Sequence, residues 1–128
     1  MIVGLGFDLV DVARARQMLV DRGERALRRL CTSAEADYCL TQADAAMSFA
    51  ARLAAKEATF KALAGTEAAR GIGWREIEVL RATDGRPSIA LHGAALARAG
   101  ELGVTRTWLT LTHTATTAGA VVVLESGA

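Results

Sequence analysis

Glu57 and Lys61 are the residues whose types and spacing best suit chemistry in this sequence. Four positions apart on a helix, they share a face. They end the segment Arg52-Leu53-Ala54-Ala55-Lys56-Glu57-Ala58-Thr59-Phe60-Lys61, in which Arg52 and Lys56 make a second such pair on an adjacent face. One carboxylate among three cations suits a metal-bound polyphosphate, with Glu57 on the metal and the cations on phosphate oxygens. Magnesium keeps several waters and takes one or two protein carboxylates beside substrate phosphates. One further carboxylate therefore completes the set, and Asp8 is the candidate. By spacing alone, however, a Glu–Lys pair is an ordinary solvated ion pair contributing roughly a few tenths of a kcal/mol. The elements around it must decide.

Ile2, Val3, Leu5 and Phe7, interleaved with Gly4 and Gly6, predict a strand that delivers Asp8 at its end. Two glycines there admit close approach of another backbone or a ligand. Asp11 is placed to cap a helix running to about Asp21, stopped near Gly23, and Glu24 to Leu30 forms a second short helix. Thr32 and Glu35 fit a capping box opening a helix through Tyr38. Ala43 to Ala64 is the strongest helical stretch, free of Gly and Pro, and Gly65 is its natural stop. A loop from Gly65 to Gly73 follows and matches no phosphate-loop or dinucleotide fingerprint. Ile77 and Val79 alternate as a strand, Asp84-Gly85 marks a hairpin turn, and Ile89 and Leu91 return. Ala94 to Leu102 reads as helix. Trp108 to Thr112 and Ala118 to Leu124 are the last strands. This order predicts an α+β fold, with helices packed on one face of a mostly antiparallel sheet and residues 1–128 in one domain.

The totals narrow the function. The formal net charge is only +1, yet residues 14–29 carry six arginines against Asp21 and Glu24. Arg14, Met18, Arg22, Arg25 and Arg28 recur at steps of three and four, a candidate basic stripe for a localised acidic partner. A nucleic-acid surface would want aromatics interleaved with those arginines, and they are missing. The run Ala120 to Leu124 is too short to span a membrane, and the N-terminus does not read as a signal peptide. Cys31 and Cys39 form no CxxC pair, so reduced thiols in a cytoplasmic protein are expected.

Five segments in order resemble the holo-acyl-carrier-protein synthases, of the 4′-phosphopantetheinyl transferase fold. They are Ile2-Val3-Gly4-Leu5-Gly6-Phe7-Asp8, then Phe49 to Leu63 with its Arg-x-Ala-Ala-Lys-Glu-Ala-x-x-Lys-Ala core, then Gly71-Ile72-Gly73-Trp74-Arg75-Glu76-Ile77-Glu78-Val79, then Asp84-Gly85-Arg86-Pro87 and Leu111-Thr112-His113. Trp108, Thr110, Leu53 and Gly73 stand where the family commonly has other residues. The resemblance implies transfer of 4′-phosphopantetheine from coenzyme A, the co-substrate, to a serine of an acidic apo-acyl carrier protein, leaving adenosine 3′,5′-bisphosphate. It implies Mg²⁺ on Asp8 and Glu57, and Lys61 at the pyrophosphate as a third catalytic group. It places Arg52, Lys56, Gly65, Asp84, Gly85, Arg86, Pro87 and His113 on coenzyme A. The stripe Arg14–Met18–Arg22–Arg25–Arg28 gains the carrier as its partner. A homotrimer with active sites between subunits is implied as well. A carrier from polyketide or peptide synthesis, or a non-catalytic carrier-binding module, are the rival expectations.

Overall fold

The structure, a computed structural model, describes residues 1–127, the side chain of Ala68 excepted. Its elements are β1 (Ile2–Asp11), α1 (Val12–Arg22), α2 (Glu24–Leu30), α3 (Ser33–Thr41), α4 (Ala45–Leu63), β2 (Ile77–Arg81), β3 (Pro87–Leu91), α5 (Gly93–Glu101), β4 (Val104–His113) and β5 (Thr117–Ser126). Short 3-10 turns at Glu67–Gly71 and Trp74–Glu76 occupy the segment between α4 and β2, much of which was expected to be plain loop. The α+β expectation holds, and every strand pairing is antiparallel. The strands lie in two sheets, a three-stranded sheet β1-β5-β4 and a separate hairpin β2-β3.

Local signals explain most boundaries. Thr32 Oγ1 accepts from the Glu35 amide and Glu35 Oε1 accepts from the Thr32 amide, so the capping box forms. Asp44 caps α4 by accepting from the Met47 amide at 3.2 Å, which starts the helix at Ala45. Asp11 occupies the cap position of α1, but its carboxylate makes no cap hydrogen bond. Gly23, at φ 61°, separates α1 from α2.

The alanine-rich α4 is buried on nearly every side, as an apolar helix at the centre of a fold must be. Phe49, Ala50, Leu53, Ala54, Ala58 and Leu63 meet Val10, Val122 and Leu124 of the large sheet in the core. The closest approach is that of β1. A Cβ built on Gly6 would fall 1.7 Å from the Ala58 carbonyl oxygen, and one on Gly4 would fall 2.4 Å from that of Ala62. Two residues along a strand and four along a helix both advance by about 6 Å, so the two backbones stay in step.

Gly6→Ala is therefore expected to destabilise the fold by at least about 2–3 kcal/mol, because the new methyl meets backbone that cannot rotate away. Urea unfolding of the purified variant checks this, and a midpoint equal to the wild type would contradict it.

Candidate active site

Alternation along β1 sorts its residues. Leu5, Phe7 and Leu9 point outward and are exposed, whereas Gly4, Gly6, Asp8 and Val10 face the helical layer. The glycines bring β1 against α4, and the next residue on that face is Asp8. Helical side chains lean toward the N-terminus of their helix. Glu57 and Lys61 consequently reach back along α4 toward Asp8.

Lys61 Nζ donates to Asp8 Oδ1 at 2.9 Å and to the Phe7 carbonyl at 2.9 Å. Its side chain is 57% exposed, that of Asp8 only 13%. Asp8 Oδ2 is buried and no fixed donor reaches it. The neighbouring Glu57 carboxyl supplies one only when it holds a proton. Arg14 Nη2 on α1 stands 3.7 Å from Glu57 Oε1.

The electrostatics separate the two acids. Burial, then the hydrogen bond to Asp8 and the Asp8 charge, push Glu57 up to about 7, against Arg14 and Lys61. Burial also raises Asp8, but hydrogen bonds with Glu57 and Lys61 outweigh it and hold Asp8 below the usual carboxylate range. Two carboxyls thus face each other over an unsatisfied buried oxygen, and either a proton or a cation must sit between them. Oxygen donors of this kind fit Mg²⁺. No group of three or more His, Cys, Asp or Glu suited to a metal occurs among the described residues, so the remaining ligands would be water and substrate oxygens.

Two residues assigned to phosphate contact lie elsewhere. Lys56 is fully buried, and its ammonium donates to Glu35 Oε1 at 2.8 Å, to the Trp74 carbonyl at 3.0 Å and to the Ile77 carbonyl. An ammonium has three donors, and all are used. Arg52, 2% exposed, stacks over the Tyr38 ring at 4.5 Å and donates to the Ser48 carbonyl. Neither has a surface to offer a phosphate, so the expected coenzyme A contacts of Arg52 and Lys56 are corrected to interior ones. Glu35, read as a capping residue alone, is the missed partner: its Oε2 also accepts from the Val79 amide at 3.0 Å. Removing one member of such a buried pair typically costs about 3–5 kcal/mol.

The remaining positions are scattered over the surface. Gly65, at φ 121°, lies with Phe60, Ala64, Thr66, Ile72 and Trp74 around an open cavity of about 830 Å³. Asp84, Gly85, Arg86 and Pro87 make an exposed turn in which Asp84 accepts from the Arg86 amide. His113 is exposed at the end of β4. Among the described residues, no hydrogen bond or ion pair joins that turn or His113 to Asp8, Glu57 or Lys61. The basic stripe is also divided. Arg14, Met18 and Arg22 line a groove of about 360 Å³ together with Arg29, Leu30 and Trp74. Arg25 is exposed outside that lining, and Arg28 is held by Asp37 at 2.9 Å and Glu24 at 3.7 Å. The break at Gly23 changes the face that α2 presents, which is why Arg29 takes the place expected of Arg25 and Arg28.

Residues 4–118 match the family model of the 4′-phosphopantetheinyl transferase superfamily. A holo-[acyl-carrier-protein] synthase of Anaeromyxobacter dehalogenans is 47% identical over 128 residues, covering 98% of this chain and 97% of that protein. The crystal structure of holo-[acyl-carrier-protein] synthase from Neisseria meningitidis superposes with a TM-score of 0.86 at 27% identity, over 98% of this chain and 100% of that one. The Bacillus anthracis structure of a holo-(acyl-carrier-protein) synthase in complex with CoA (3′,5′-ADP) gives 0.79 at 29% identity, over 99% of each chain. The family model and the relatives thus define a transferase. The chain belongs to the 4′-phosphopantetheinyl transferase superfamily, within its holo-[acyl-carrier-protein] synthase family.

The Glu57 shift makes stability depend on pH. Its carboxyl ordinarily titrates at 4.5 and here at about 7, so the folded state holds the proton more tightly than the unfolded chain. The resulting stabilisation is complete below the unfolded value and is lost as the pH rises through about 7. In EDTA, the wild-type Tm is expected to fall between about pH 5 and about pH 8 more steeply than that of Glu57→Gln, as read by thermal melts. Parallel profiles would contradict the assignment.

Proposed function

We propose that this enzyme transfers 4′-phosphopantetheine from coenzyme A to a serine hydroxyl of an acidic apo-acyl carrier protein, releasing adenosine 3′,5′-bisphosphate. We read the reaction as Mg²⁺-dependent and cytoplasmic, the latter in keeping with the free, buried thiols of Cys31 and Cys39. The observation that carries the reading is the Asp8–Glu57–Lys61 cluster: two facing carboxyls, an unsatisfied buried oxygen and an exposed cation at one point.

The serine oxygen attacks the β-phosphorus of coenzyme A, and the bond from that phosphorus to the bridging oxygen breaks. Charge then gathers on the departing bisphosphate. When bound, Mg²⁺ supplies fixed positive charge to the pyrophosphate oxygens. Asp8 and Glu57 would hold that ion. Lys61, already exposed, turns from Asp8 to the pyrophosphate and stabilises or protonates the leaving oxygen. Glu57, ionised and within reach of the attacking hydroxyl, accepts the serine proton.

Other features fit the same reading. The cavity at Gly65 offers room for part of coenzyme A. The groove of Arg14, Met18, Arg22 and Arg29 combines cations with an apolar floor, as docking of an acidic carrier helix requires. Leu5, Phe7 and Leu9 are 65%, 58% and 60% exposed, and Trp108 is 50% exposed. Apolar residues so concentrated on one sheet fit burial in a homotrimer. Active sites between its subunits would let His113 and the Asp84–Pro87 turn of one subunit reach coenzyme A held by another.

Incubation with Mg²⁺, coenzyme A and apo-carrier is expected to raise the carrier's intact mass by one phosphopantetheine, and Glu57→Gln is expected to lower kcat roughly 10²–10⁴-fold. Carriers of fatty-acid, polyketide and peptide synthesis, run side by side, identify the partner. A folded enzyme that modifies none of them would overturn the proposal.

A further inference from the structure

Each acid of the site is held by a cation that also has business elsewhere. Lys61 sits on Asp8 at 2.9 Å. Arg14 sits 3.7 Å from Glu57. Arg14 belongs at the same time to the basic groove, where it lies beside Met18, Arg22 and Arg29. Arg22 and Arg29 pair with no carboxylate among the described residues. Arg14 is thus the groove arginine whose guanidinium touches the candidate metal site.

That position sets up a competition. A guanidinium beside Glu57 occupies part of its charge, and it repels a divalent cation approaching the same carboxylate. An acidic carrier surface in the groove offers Arg14 a second partner. At 58% exposure its side chain is free to move to it. We propose that Arg14 couples carrier docking to metal loading: it neutralises Glu57 while the groove is empty and leaves Glu57 when an acidic partner arrives, so that docking strengthens the hold of Asp8 and Glu57 on a divalent cation. This deepens the proposed function and rests on its reading of Asp8 and Glu57 as metal ligands. By linkage the effect is reciprocal, and metal raises carrier affinity by the same factor.

Lys61 has a similar double claim, with the coenzyme A pyrophosphate as its other partner. The consequence for Arg14 is distinct, because a single substitution moves two affinities in opposite directions. Loss of Arg14 weakens carrier docking and tightens metal binding. A residue that served docking alone would change only the first, and a structural residue would weaken both.

Mn²⁺ serves as the probe, with free ion counted by electron paramagnetic resonance and a carrier-only blank subtracted. Exposed ion pairs are of modest strength, so Arg14→Gln is expected to bind Mn²⁺ roughly two- to fivefold more tightly than the wild type. Arg22→Gln, which removes the same charge from the same helix, is expected to change it less. Apo-carrier is expected to tighten Mn²⁺ binding to the wild type, and to leave Arg14→Gln unmoved. Glu57→Gln is measured alongside. If Glu57→Gln loses Mn²⁺ while Arg14→Gln binds it as the wild type does, with the same response to carrier, the coupling is overturned and the metal site stands. If Glu57→Gln binds Mn²⁺ normally, the metal-site reading falls and the coupling falls with it.

Discussion

The backbone contact between β1 and α4 is the constraint on which the site depends. Gly4 and Gly6 have no side chains because the carbonyls of Ala62 and Ala58 occupy the space. Strand and helix advance in step along that contact, so its direction and register are set by sterics. Asp8 follows as the next residue on the same face. Its meeting with Glu57 and Lys61 is thus a product of two glycines and the alanines opposite them, far away in sequence. The geometry of the candidate site begins as a packing problem.

The helix that receives the strand carries two polar pairs with different work. Lys56 and Arg52 turn inward, where Lys56 joins Glu35, Trp74 and Ile77, and so ties α4 to α3 and β2. Glu57 and Lys61 turn toward β1 and remain accessible. A buried ion pair has only modest net worth, but breaking it is costly, so it holds the helix in one rotational setting. One position along the chain separates a structural cation from the candidate metal ligand. The inner pair keeps the outer pair aimed.

Much of the fold was legible because local signals agreed with one another. Thr32 and Glu35 announced a cap, Gly23 and Gly65 ended helices, and Asp84-Gly85 marked a hairpin. The separation of the hairpin from the main sheet was not legible, since strand pairing is a long-range choice with no residue-level mark. Within the site, ordered motifs pointed to Asp8, Glu57 and Lys61, and the structure brings these together. Motif membership could not tell that Arg52 and Lys56 face inward, because α4 is apolar nearly all round and its periodicity does not mark a solvent side. Steps of three and four, counted without a break, also carried the stripe across Gly23 onto Arg25 and Arg28. A positive φ there redirects the chain, and Arg29 lines the groove in their place.

The electrostatic arrangement gives the account its central claim. A buried Asp8 oxygen without a fixed donor, and a Glu57 carboxyl lifted to about 7, describe a place that wants positive charge. Lys61 and Arg14 fill that need at its edges. The direct test is a crystal of the enzyme soaked in Mn²⁺ with coenzyme A and measured for anomalous scattering. The account predicts a single strong peak between the Asp8 and Glu57 carboxylates, with Lys61 displaced from Asp8. A peak elsewhere, with Lys61 still bonded to Asp8, would contradict it.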